Sequence, residues 1–122
     1  MTTEQFNSIF RDTVEKAFNL LNGKAAEYAE SGDRLHNFKR AAELQGCTPI
    51  GALGGMMVKH TVSIYDLIRR YERGANIPPE LWDEKIIDSI NYLILLRAAV
   101  KEIAGDKQGA SAVVLAEQRN RA

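Results

Sequence analysis

Apolar residues recur along this chain at three- and four-residue steps and not in alternation, a pattern that predicts amphipathic helices and no sheet. Phe6, Ile9, Phe10, Ala17, Leu20 and Leu21 follow a Thr2-x-x-Gln5 capping pattern, which predicts a first helix from Thr3 to about Ala29. Gly23 weakens it, and Ser31-Gly32-Asp33 marks its stop and the next start. From Asp33 to about Leu44, residues Leu35, Phe38, Ala41 and Ala42 form a short amphipathic helix that Gln45-Gly46 ends, with Asp33 read as its cap. Thr48-Pro49 is the clearest boundary, because a threonine cap followed by proline at the first helical position suits the unpaired amides there.

A third helix is expected from Pro49 to about Arg73, with Leu53, Met57, His60, Ile64, Leu67 and Tyr71 on one core-facing stripe. Gly51, Gly54 and Gly55 are poor helix formers, and close approach of another backbone or a ligand would account for them. After a break at Gly74 to Pro79, Glu80 to about Ala104 reads as a fourth helix. Its apolar residues, Ile86, Ile87, Ile90, Leu93, Ile94 and Leu96 among them, wrap most of the way round, so it should be the central or interface helix. Beyond Gly105-Asp106, residues 105–122 are expected to be a short helix or a flexible tail. The fold class is therefore all-α, a bundle of four main helices in one domain over residues 1–122, and an oligomer.

Composition narrows the partners. The 122 residues are 45% hydrophobic and 26% charged, as in globular proteins, and 16 basic against 16 acidic residues give a net charge of zero. No global field then draws the chain to a DNA or RNA polymer or to an anionic membrane. Apolar runs are too short to span a bilayer, and the polar start at Thr2-Thr3-Glu4-Gln5 does not resemble a signal peptide. One cysteine, Cys47, fits a reducing cytoplasm.

Candidate chemistry lies in polar residues on helices whose other faces serve the core. Lys59, Ser63 and Asp66 align at i, i+4 and i+7 beside His60, and Glu84, Asp88 and Asn91 align in the same way among isoleucines. Glu27 and Glu30 stand three apart near the end of the first helix, and Asp33 and Asn37 share a face after it. A solvated helix face is the ordinary explanation of such rows, and a hydrogen-bonded core histidine that of His60. The functional explanation places them around one hollow between helices. Glu27, Glu30, Asp66, Glu84 and Asp88 would hold Mg²⁺, which takes oxygen ligands and keeps waters for phosphates to replace. Lys24, Arg34, Lys39, Lys59 and Lys85 would supply cations for phosphate oxygens. Asn37 and Asn91 would supply amides that can read a base or ribose, and His60 and Ser63 join them as ligand-binding candidates. No glycine-rich phosphate loop is present, one cysteine and two histidines make no standard zinc site, and nothing orients a Cys47/His60 nucleophilic pair.

The same residues carry a resemblance. Glu27-Tyr28, Asp33-Arg34-Leu35, Asn37-Phe38-Lys39, Gly46-Cys47-Thr48-Pro49, Gly55-Met56-Met57, Lys59-His60, Ser63-Ile64-Tyr65-Asp66, Trp82-Asp83-Glu84-Lys85, Asp88 and Asn91-Tyr92-Leu93 together resemble a family of small phage and prophage proteins labelled as a nucleotide-modification-associated domain. The resemblance runs from about Phe6 to about Lys101. More distantly the chain is similar to all-α nucleoside triphosphate pyrophosphohydrolases of the MazG and dimeric dUTPase type. In those proteins a Glu-x-x-Glu pair and a Glu-x-x-Asp pair bind Mg²⁺ beside the triphosphate. Glu27 and Glu30 have the first spacing. Glu84 and Asp88 are four apart instead of three, which keeps them on one helix side but alters the geometry for activating water.

That departure favours a phage-encoded cytoplasmic binding protein, a homo-oligomer that captures a nucleotide, cyclic or otherwise modified, and holds it without turnover. The alternatives are a Mg²⁺-dependent nucleotide pyrophosphohydrolase and a helical interaction module.

Overall fold

The structure is a computed structural model that describes residues 1–27 and 32–121, with side chains described at 1–24 and 32–106. Four helices follow in order: α1 (Thr3–Glu27), α2 (His36–Gln45), α3 (Pro49–Glu72) and α4 (Pro79–Arg121). No strand occurs among the described residues.

Local chemistry sets most of the boundaries. At the start of α1 the Thr2 amide donates to Gln5 Oε1 at 2.8 Å and the Gln5 amide to Thr2 Oγ1 at 3.1 Å, a reciprocal capping box. Thr48 Oγ1 caps α3 by accepting from the Gly51 amide at 3.0 Å, with Pro49 in the first turn. Gly46 closes α2 at φ 67°, a left-handed conformation that costs glycine little. Asp33, expected as the α2 cap, acts two residues earlier: its Oδ1 accepts the Leu35 amide at 2.9 Å while its carbonyl accepts that of His36. This Asx-type turn delivers the chain into α2 without capping it.

One expectation is corrected and a second is narrowed. Gly105-Asp106 does not end the fourth helix, which continues to Arg121, so the separate short helix or tail is an extension of α4. One glycine lowers helix propensity by about 1 kcal/mol and does not by itself stop a long helix. A Cβ on Gly54 or Gly55 would meet nothing within 4 Å, so no close approach among the described residues explains those two, whereas one on Gly51 would come within 3.2 Å of the capping Thr48 Oγ1.

α4 is the central element, with α3 packed along it antiparallel, α2 on α3, and α1 alongside α4. The core gathers around Leu53, fully buried, with Leu35 and Ala99, and Phe38, Ile50, Met57, Tyr92, Leu95 and Leu96 pack against it. Lys39 bridges elements by pairing at 2.6 Å with both Asp33 and Glu102 of α4. These bonds hold the Asp33 carboxyl below its ordinary range and push the Lys39 ammonium up, each mainly through its hydrogen bond to the other. Among the described residues no helix is long and apolar enough to cross a membrane.

Candidate functional site

On α4, Asp88, Asn91, Tyr92 and Leu95 recur at i, i+3, i+4 and i+7, a spacing that aims all four to one side. Leu21 and Lys24 of α1, Arg34 of the connecting turn, Asn37 and Phe38 at the start of α2, and Met56 of α3 face them. Together they enclose a cavity of about 290 Å³, close to the lower end of the range of small-molecule sites. Arg34 Nη2 donates to the Leu21 carbonyl at 3.0 Å, which ties the turn to α1 at this cavity. Phe38 meets Tyr92 edge to face with centroids 6.4 Å apart.

Asn91 is 6% exposed, and its Oδ1 has no hydrogen-bond partner among the described residues. A buried carbonyl oxygen without a partner is costly. His60, half-buried, stacks on Tyr92 with centroids 4.6 Å apart and places Nδ1 3.8 Å from Asp88 Oδ2, too far for a direct hydrogen bond. A second hollow of about 70 Å³ lies between α3 and α4, lined by Met57, His60, Thr61, Ser89, Tyr92 and Leu93. Ser89 Oγ is the other buried side-chain atom without a partner among the described residues.

Of the residues singled out from sequence, the cavity brings together Lys24, Arg34, Asn37, Asp88 and Asn91, with His60 beside Asp88. It does not gather the rest. Lys59 and Asp66 are exposed, Asp66 pairing with Arg69 one turn on, and Ser63 Oγ donates to the Lys59 carbonyl at 2.9 Å within its own helix. Glu84 is 61% exposed with Lys85 Nζ at 4.0 Å, and neither lines the cavity. The side chains of Glu27 and Glu30 lie outside the described residues. Among those described, no three His, Cys, Asp or Glu side chains converge on a point that a metal could occupy. Asp66 turns to solvent on α3 and Glu84 stands one turn outside the cavity, so among the described residues these two do not join Asp88 there. Cys47 and His60 are separated by about 16 Å of helix, beyond any nucleophile–base pairing.

Phe38, Tyr92, Leu21, Met56 and Leu95 complete the walls, and helix periodicity alone assigns such residues to the core. The signal that they line a site is the adjacency of Phe38 to Asn37 and of Tyr92 to Asn91. Comparison with known proteins returned no matching family model, no matching curated protein and no matching solved structure.

Proposed function

We propose that the cavity binds a nucleotide and that the protein holds it without turnover. The observation that carries this reading is the convergence of Lys24 and Arg34, Asn37 and Asn91, and the rings of Phe38 and Tyr92 on one hollow. Lysine and arginine suit phosphate oxygens, arginine in a two-pronged geometry. Aromatic faces suit a base, and the amides of Asn37 and Asn91 suit its polar edge. Asp88 is the carboxylate in the lining, so the described residues supply binding groups in greater number than groups for activating water. The resemblance to phage and prophage proteins makes a cyclic or otherwise modified signalling nucleotide the first class to test.

The test is mass spectrometry of small molecules released from the purified protein, followed by thermal shift with a nucleotide panel with and without Mg²⁺. Binding predicts a nucleotide recovered intact and a midpoint that rises with its concentration as mass action requires. Release of pyrophosphate would replace this reading with a pyrophosphohydrolase. Neither a shift nor turnover would leave a helical interaction module.

The reading includes self-association. The exposed apolar residues of α1, Phe6, Ile9 and Phe10 among them, support it.

A further inference from the structure

The apolar arc of α1 is covered over only part of its length. In the second half of the helix Ala17 is 1% exposed and Leu21 is half-buried, because α4 runs beside them. The same arc continues toward the N-terminus through Thr13, Phe10, Ile9 and Phe6, at the helix spacing. There no described residue of another element covers it: every residue from 1 to 12 is exposed, with Phe6 at 58%, Ile9 at 51% and Phe10 at 61%. Val14 and Phe18 widen the band on one flank and Leu20 on the other.

A helical segment without tertiary contacts is marginal in water, and most helix stability in proteins comes from packing an amphipathic face. Together these six side chains expose on the order of 600 Å² of apolar surface, at the top of what monomers leave in one patch and approaching the roughly 800 Å² each partner buries in a stable complex. Charge does not oppose self-association. The centre of the band has no charged residue, Asn7 and Arg11 border it beside Val14 and Phe18, Lys16 borders it beside Ile9 and pairs with Asp12, and the chain is neutral, so two copies do not repel at long range. A two-fold interface sets the same patch against itself, which suits an uncharged, aromatic-rich band.

We infer that the N-terminal half of α1 is the seam of a two-fold assembly, in which Phe6, Ile9 and Phe10 of one copy pack against the same residues of a second. This rests on the self-association proposed above and names its surface.

Light scattering on the full chain at micromolar concentration tests it. The wild type is expected at a multiple of 13.6 kDa, and the double variant Phe6→Glu/Phe10→Glu at the monomer mass. Val58→Glu/Val62→Glu, on exposed positions of α3, should leave the mass unchanged. In a Cys47→Ser background, Ile9→Cys should cross-link between copies with a short bismaleimide, a readout that does not require the glutamate variant to fold. A monomeric wild type would overturn both self-association and the seam. An oligomer whose mass the α1 variant does not alter, or that Ile9→Cys fails to cross-link, would overturn the seam alone.

Discussion

The imidazole of His60 lies on the ring of Tyr92, centroids 4.6 Å apart and planes tilted by 31°, with His60 lining the small hollow of about 70 Å³ and Tyr92 lining both that hollow and the cavity of about 290 Å³. Tyr92 lines both spaces, and its other edge meets Phe38, so one side chain joins α2, α3 and α4.

Tyr92→Ala should therefore merge the two spaces and lower the unfolding free energy by about 3 kcal/mol, the size of other aromatic truncations in cores. Urea unfolding would show a lower midpoint. A loss under about 1 kcal/mol would mean that the three helices are held together elsewhere.

Asn91→Leu separates stability from binding. Leucine has the same side-chain branching, a larger volume that the adjoining cavity can take up, and no oxygen to leave unpaired, so the empty protein should be unchanged or more stable by about 1 kcal/mol, while nucleotide affinity falls at least tenfold. Paired urea titrations and binding isotherms measure both. Strong destabilisation with affinity intact would assign Asn91 a purely structural role.

Gly55→Ala should stabilise the protein by about 0.5–1 kcal/mol, because the position is exposed, helical and open around its missing Cβ. Scanning calorimetry should show a midpoint a few degrees higher. A fall would place a ligand or a second copy against this surface.

The Lys39 bridge gives a pH dependence with a defined sign. The Asp33 carboxyl, ordinarily at 3.8, is held lower in the folded protein, so its contribution is complete above that value and disappears as pH falls through the folded one. The Lys39 ammonium, ordinarily at 10.5, is held higher, so its contribution is complete below that value and disappears only in stronger alkali. The stability difference between wild type and Lys39→Met should be flat from about pH 5 to 9 and shrink below about pH 4. A difference that grows on acidification would contradict the assigned pairing.

How much of this was legible in the sequence varies by residue. Thr2 and Gln5, Gly46, and Thr48 with Pro49 act through neighbours a few positions away, so their roles follow from spacing. Asp33 was legible as a turn residue, but whether its side chain caps the helix or the turn before it depends on how Lys39 and Glu102 draw the carboxylate. Gly105 was misleading because a single poor helix former is outweighed by the residues on either side of it.

The sequence by itself determined the helical class, the starts of α1 and α3, and the stripe that buries Leu53 and Leu67, because each depends on local hydrogen bonds or on a period of 3.6 residues. It could not distinguish two polar rows of equal spacing. The row of Lys59, Ser63 and Asp66 turns to solvent or to its own helix, while Asp88 and Asn91 of the other row enter the cavity and Glu84 stops short of it. Only tertiary packing decides between such rows, since what a helix face meets is set by where α1 and α2 come to rest, and that depends on contacts among residues far apart in the chain.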